Sequence, residues 1–579
     1  MAGAINIITK TPANKTTGFA SIGYGNLNQI EANAGVSLPI VDNVLFSRLS
    51  VSARLRDGYI ENTLLETDNL LEHQRYGGNL QLTYLPTDKL TFSLNASLNQ
   101  KEVDAQAFVG GAGVSGEVIK AQLEDKPYEV SFNTQGMYET LVSNNALKIS
   151  YETDSLSILS ISSMQYTDNT GHDDELDFLP FDLNTRKYFS RIFTTLSEEL
   201  RISSEWSNLQ WLAGVFVYNF NIDRQEDNQF GIANAGRVTD PDAAAQYPYT
   251  LITVSEQQHT GFSIFGNAEY MITKSLRVNG GVRFEIEEAQ ADVSRSYTKD
   301  GNDNYQYPNL GVFPATFEET ETFSAVSPKA GLSYDVIDNV MLYGNIARGY
   351  RPGGFNSFAA DEDTANFDSE YSWNYEVEIK SMLMKNRIRV NLAGFYIDYQ
   401  DQQLYTILDI ATFNIGRDNL SRSVSIGAEL ETEWALLDGL TATINVGILD
   451  TEITDYNTIS TAGELDYAGN KQGYSPQFNG NFGLNYEIPI NDLLTLKAIG
   501  DYQYQTDMFF DPENTIQQDA YGLLNARLVI STEMIDLIFW GQNLTDETYF
   551  SYGYNFAGVG GFASYGLPRT FGTKLSVRF

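Results

Sequence analysis

The chain contains no cysteine, which excludes disulfide staples, thiol nucleophiles and cysteine-based zinc or iron–sulfur centres. Histidine is nearly as scarce, because His73, His172 and His259 are the only three, too few for a histidine-rich metal centre. Positive charge is also short: 37 Lys and Arg stand against 75 Asp and Glu, a net charge of −38. Phosphate binding draws on clustered cations, so a nucleic-acid partner is excluded. No stretch reaches the roughly 18 consecutive apolar residues of a membrane-spanning helix, and the mean hydropathy is −0.27. That excludes a helical membrane protein but not a β-barrel, whose strands give a far weaker signal. Met1 to Lys10 lacks the basic start and apolar core of an export signal. What the chain does have is 42% hydrophobic residues, including 35 Tyr and 33 Phe, too many for disorder.

Those residues alternate. In Leu90-Thr91-Phe92-Ser93-Leu94-Asn95-Ala96-Ser97-Leu98-Asn99 every even position is apolar and every odd one polar, so one face meets oil and the other water. Ile30, Ala32, Ala34, Val36 and Leu38 oppose Gln29, Glu31, Asn33 and Ser37. Leu276, Val278, Val282, Phe284 and Ile286 oppose Arg277, Asn279, Arg283, Glu285 and Glu287, and Phe571, Leu575 and Val577 oppose Lys574, Ser576 and Arg578. Such runs exceed the usual five or six residues of soluble strands.

The connections alternate too. Short ones, such as Pro86-Thr87-Asp88-Lys89, Ile337-Asp338-Asn339 and Leu437-Asp438-Gly439, are rich in turn formers. Long ones fall between, at roughly 103–141, 167–188, 224–255, 289–319, 350–369, 455–474 and 545–569. Short turns on one rim and long loops on the other predict an all-β fold, an antiparallel transmembrane β-barrel with short periplasmic turns and long extracellular loops. Counting from Thr17 to Phe579 gives 22 strands. A soluble propeller or sandwich would need shorter strands and similar connections at both ends, and neither is seen.

Three groups of residues carry a resemblance. Gly3-Ala4-Ile5-Asn6-Ile7-Ile8-Thr9-Lys10 stands before the first strand. Ser197-Glu198-Glu199-Leu200-Arg201-Ile202 and Ala347-Arg348-Gly349-Tyr350-Arg351-Pro352-Gly353-Gly354-Phe355-Asn356 lie in the middle. Gln542-Asn543-Leu544-Thr545-Asp546-Glu547-Thr548-Tyr549 and the closing Pro568 to Phe579 end the chain. Together they resemble the TonB-dependent receptors, plugged active transporters of the Gram-negative outer membrane, in their iron-complex branch. On that resemblance, residues 1–12 are a remnant of the last plug strand and residues 17–579 the barrel. The family's signal peptide, TonB box and most of its plug have no counterpart here, which reads as a barrel deprived of its gate. The implied partners are outer-membrane lipid, the TonB system through a plug, the β-barrel assembly machinery and a small ligand such as a ferric siderophore, with a monomeric barrel. No cofactor or resident metal is implied. A plugless passive channel and, behind it, an outer-membrane barrel enzyme are the alternatives.

No catalytic constellation stands out, since there is no Gly-x-Ser-x-Gly elbow and the carboxylates identify no pair. The expected ligand surface is the aromatic, glycine-rich loop residues Phe355, Tyr552, Tyr554, Phe556 and Phe562, which can stack on a flat ligand. Inward polar positions, Arg48, Arg54 and Arg56 on one strand, Glu199 and Arg201 on the eighth, and Arg277 and Arg283, form charged ladders. These either face a plug or pair with the wall itself. The acidic run Asp173-Asp174-Glu175-Asp177 reads as a solvated loop, with calcium as the alternative. The terminal Phe579, ending an alternating strand with no tail, reads as an assembly signal.

Overall fold

The computed structural model of the chain describes residues 9–110, 115–233, 245, 247–299, 316–357, 359, 364–409, 414–460, 463–556 and 560–579. Twenty-two of its strands pair with their neighbours in sequence, all antiparallel, in one continuous sheet. The sheet closes on itself: the first strand, Thr17–Gly25, pairs with the second, Ile30–Val41, and also with the last, Thr570–Arg578. Two backbone bonds between Gly18 and Phe579, of 2.8 and 3.0 Å, finish the seam.

Alternation decides which side of the wall each residue faces. Leu82, Leu94 and Leu147 fall in one cross-strand row, and Phe262 faces Ile286 as Ile264 faces Phe284 in the next sector. Leu82 and Leu94 are half-buried by their neighbours in the wall, while Ile264 and Phe262 remain 53% and 43% exposed. A continuous apolar band of this kind is tolerable only against lipid. The positions between them face a polar lumen, where Asn79 donates from Nδ2 to Asn95 Oδ1 at 2.8 Å.

The short turns gather at one rim, as predicted. In the turn between Leu437 and Leu440, Gly439 has φ +79°, and a Cβ there would lie 2.2 Å from the carbonyl oxygen of Glu487. Only glycine fits that approach. At the other rim the strands outrun expectation. Ser157–Glu175, Asn184–Trp206, Leu209–Phe230, Tyr249–Thr273, Leu276–Thr298 and Thr316–Ile337 have 19 to 25 residues each, whereas about 9–11 tilted residues span the hydrocarbon. Much of what reads as loop is therefore sheet. The outward face turns polar there, through Asn219, Asn221, Gln258, Thr260, Glu288 and Gln290, while the ladder continues. Two long connections, 57–72 and 506–520, and the helix Gly116–Asp125 are not foreseen by the alternation.

Five connections share one hydrophobic core above this rim. Ile60 and Leu70, Phe108, Ile119 and Val130, Phe178, Phe510 and Ile516, and Phe550, Phe562 and Tyr565 pack together, all under 7% exposed. The hairpin of Phe550–Phe556 and Gly560–Tyr565 adds Val109–Gly110 as a third strand. At the opposite end the chain lies along the lumen wall before its first strand. Gln81 Nε2 donates to Thr9 Oγ1 at 2.7 Å, and the Ala13 N–H donates to Ser37 Oγ at 2.9 Å. Residues 1–8, most of the expected plug remnant, lie outside the described residues.

The two-sided wall predicts opposite responses at adjacent positions. Leu94→Arg should cost roughly 2–4 kcal/mol near the bilayer midplane and Asn95→Arg little; unfolding of both variants in lipid vesicles checks it. The cap predicts a pH effect. Burial beside Asp511 pushes the Glu513 carboxyl up to about 8. A carboxyl whose folded pKa is raised holds its proton in the folded loop while the open chain ionises, so stability falls as pH rises from about 4.5 to 8. Hydrogen exchange across 506–520 should show protection declining over that window, and Glu513→Gln should remove the decline.

Candidate functional site

The inward face at the extracellular end encloses a cavity of about 710 Å³. Strict alternation supplies its walls: Arg191 and Phe193 from one strand, Phe220, Ile222, Arg224 and Glu226 from the next, then Gln257, His259 and Glu287. Tyr405 and Arg417, from the strands Ile388–Asp409 and Asn414–Leu437, close it. Its roof is chain that has turned inward. After Arg351 the segment Pro352-Gly353-Gly354-Phe355-Asn356-Ser357 leaves the rim and lies against the lumen wall.

That inward turn is built from specific contacts. Phe355 packs with Phe317 and Phe323 on Ala289, Ala291 and Val293, inward positions that carry small apolar groups where the rest of the strand is polar. At Gly353 a Cβ would lie 2.3 Å from the Phe367 carbonyl oxygen, so no larger residue passes there. Arg295 donates to the carbonyls of Ala359 and Ser357 at 2.7 and 3.0 Å. Asn356 donates to the Arg417 carbonyl and accepts from its N–H, both at 2.8 Å. Gln403 Nε2 bridges the carbonyls of Pro352 and Asp368 at 2.8 and 2.9 Å. Buried backbone polar groups of the loop are thereby satisfied.

Five arginines line the cavity, Arg186, Arg191, Arg224, Arg351 and Arg417, against the carboxylates Glu226 and Glu287. Glu226 is shared by Arg191, at 2.5 Å, and Arg186, at 3.8 Å. Glu287 is held by His259 Nδ1 at 2.7 Å and by the Tyr218 hydroxyl, so its charge is engaged inside the wall. Arg224 reaches only Ser357 Oγ, at 3.4 Å, and its buried Nε has no partner among the described residues. Arg417 lies over the Tyr405 ring, 5.0 Å from its centre. Phe193 and Phe220 stack with planes 10° apart. The arrangement suits a ligand that is flat in part and anionic in part.

Of the residues singled out from sequence, Phe355 lines this cavity. Tyr554 stacks on Phe562 at 4.9 Å, Phe562 is buried in the cap core, and Tyr552 is 44% exposed. The side chain of Phe556 lies outside the described residues. The lumen ladders point inward. Arg277 forms a two-pronged pair with Asp335 at 2.9 and 3.0 Å, Arg283 pairs with Glu285 at 2.6 Å, and Arg201 pairs with Glu199. Arg48 lies over the Phe19 ring and Arg56 donates to the Leu71 carbonyl at 3.0 Å. In the acidic run Asp174 pairs with Arg186 at 3.1 Å, Asp173 with Lys187 at 3.4 Å, and Asp177 accepts the N–H of Leu179 at 3.0 Å. These carboxylates serve three different partners rather than one centre.

Residues 39–544 match the family described as TonB dependent receptor-like, beta-barrel. The chain belongs to this family. The pesticin receptor of Yersinia enterocolitica is 23% identical over 595 residues, covering all of this chain and 78% of that protein. The crystal structure of the ferric yersiniabactin uptake receptor from Yersinia pestis superposes with TM-score 0.80 at 20% identity, over 99% of this chain and 81% of that one. A siderophore receptor from Acinetobacter baumannii gives TM-score 0.75 at 15% identity, over 99% and 82%. This is a family of receptors rather than of enzymes.

The cavity of this TonB-dependent receptor barrel draws on residues that sequence reading leaves aside. Arg186, Arg191 and Arg417 carry no motif, and Arg224 is read as the start of a loop. The available signal is the alternation of Phe220, Ile222, Arg224 and Glu226, which continues the strand's inward face past the point where its outward face turns polar.

Proposed function

We propose that this barrel is the translocation domain of a Gram-negative outer-membrane receptor that takes up a ferric siderophore, energised through TonB by way of a plug. The observation that carries the reading is the arginine-rich, aromatic-walled cavity beneath the inward loop. A siderophore complex presents anionic oxygens around the metal and flat or apolar parts at its edge. Guanidinium groups pair with the former and Phe193, Phe220 and Tyr405 contact the latter. The folds it shares belong to a ferric yersiniabactin uptake receptor and a siderophore receptor. The self-paired ladders, Arg277 with Asp335, Arg283 with Glu285 and Arg201 with Glu199, offer a plug charge-balanced patches of the wall that can be left without stranding a charge. The barrel acts as a monomer in outer-membrane lipid, delivered by the β-barrel assembly machinery.

Two outcomes follow. Arg224→Ala with Arg417→Ala should lower uptake of radioiron-labelled siderophore in an iron-starved host by about tenfold or more, the loss of one to two charge-assisted hydrogen bonds. Folded barrel in the outer membrane should be unchanged, and undiminished uptake across a siderophore panel would sink the assignment. The assembly reading rests on Phe579, whose ring lies over Gly18 at the seam. Phe579→Ala keeps both backbone bonds and removes only the ring, so a drop in heat-modifiable barrel in cells, with normal refolding into detergent, marks it as a signal. Equal yields in cells count against that role.

A further inference from the structure

Cross-strand register places an unusual amount of positive charge on a single row of the lumen wall. Lys574 lies opposite Gly23, and Gly23 opposite Glu31. Arg54, Arg75 and Lys101 follow, each directly facing the next on adjacent strands. Beyond Thr140 and Asn169 the row continues through Arg191 and Arg224 to Ser255. It crosses eleven consecutive strands, half of the circumference, and holds six cations and one carboxylate in a chain whose net charge is −38.

The row also climbs. Lys574 is four residues from the lower end of its strand at Arg578, whereas Ser255 is eighteen from the lower end of its own at Thr273. Barrel strands tilt, so a row perpendicular to them spirals; fourteen residues of offset amount to a rise of roughly 35 Å. Its upper end is the arginine cavity, where Ser255 and Ser357 share a hydrogen bond of 3.1 Å.

Sheet stability does not account for this row, because like charges directly opposite one another are unfavourable. Other lumen cations are paired, as Arg277 is with Asp335 and Arg389 with Glu433, and within the row Arg191 is paired with Glu226. Among the described residues no carboxylate lies within ion-pairing distance of Arg54, Arg75 or Lys101, and Glu31 is held by Lys574 at 2.7 Å. We infer that the row is a binding track for small polyanions, molecules bearing several carboxylate, phosphate or sulfonate groups, between the upper cavity and the lower lumen. An acidic protein segment would be served by a compact patch. A spiral that rises through the lumen into the cavity fits a solute that moves.

The inference does not depend on the siderophore assignment, and its test uses neither iron nor uptake. The probe is pyrene trisulfonate, titrated by fluorescence anisotropy against the full chain in detergent micelles. Binding should weaken with added salt and fall about tenfold or more in the triple variant R54Q/R75Q/K101Q, whose Tm should be unchanged or higher because a like-charge contact is gone. Arg389→Gln, which breaks a lumen pair outside the row, should stay within about twofold of the wild type. Absence of probe binding to the wild type overturns the track, as does a triple variant that binds like it. An equal loss in Arg389→Gln would make the effect bulk lumen charge, and a triple variant of lowered Tm would make the cations structural; either result refutes the inference.

Discussion

Every backbone N–H and C=O that faces hydrocarbon must find its partner within the protein, and the rest of this structure depends on that constraint. A sheet with an open edge fails it. The chain meets it by pairing Thr17–Gly25 with Thr570–Arg578 and tying Gly18 to Phe579, residues from opposite ends of the sequence. Closure in turn demands tilted strands and a sheared register, and shear is why residues that face one another across neighbouring strands lie at changing heights. Closure also makes parity absolute. Once Leu94 faces lipid, Asn95 must face the lumen, and a one-residue slip anywhere would put a row of polar groups into the bilayer.

Within the closed wall, the loop after Arg351 breaks parity's chemical rule without breaking its geometry. Ala289, Ala291 and Val293 point inward and yet are apolar and buried, because Phe355 and its neighbours cover them. Burying a phenylalanine is worth about 1.5–3 kcal/mol, enough to hold a short segment inside only if its backbone is also satisfied. Arg295, Asn356 and Gln403 do this, each reaching main-chain carbonyls. The inserted loop is thus part of the wall's own packing, and it brings Ser357 to Arg224 and the main chain of Arg417 to Asn356.

The sequence makes the wall legible and the rims less so, for a physical reason. Alternation such as Leu90 to Asn99 contrasts lipid with water, and it ends where lipid ends. Above the membrane the outward face turns polar too, so Asn219 and Asn221 outside and Arg224 inside look alike, and the strand is read as loop from Arg224 onward. The cap fails differently. Tyr552, Tyr554 and Phe562 are visible as an aromatic run, but nothing local says that Phe108 and Phe178 will meet them and build a core. The helix Gly116–Asp125 is short and lies within a long loop, where a pattern tuned to strands has no purchase. The cavity is the least local of all, since Arg186 and Arg417 line one space only because the sheet curves round on itself.

Net charge is misleading for the same reason. A balance of −38 argues against an anionic ligand only if charge is felt as a sum, and at physiological salt the Debye length is about 8 Å. What a solute in the lumen meets is the nearest row or two. There Glu226 and Glu287 are engaged by Arg191, His259 and Tyr218, while Arg224 retains an unpartnered Nε and Arg54, Arg75 and Lys101 face one another without a carboxylate between them. Such a local excess cannot be counted from composition or from a strand read singly. It exists only in the pairing register, so the electrostatics of the interior becomes visible once each strand is known to end where it does.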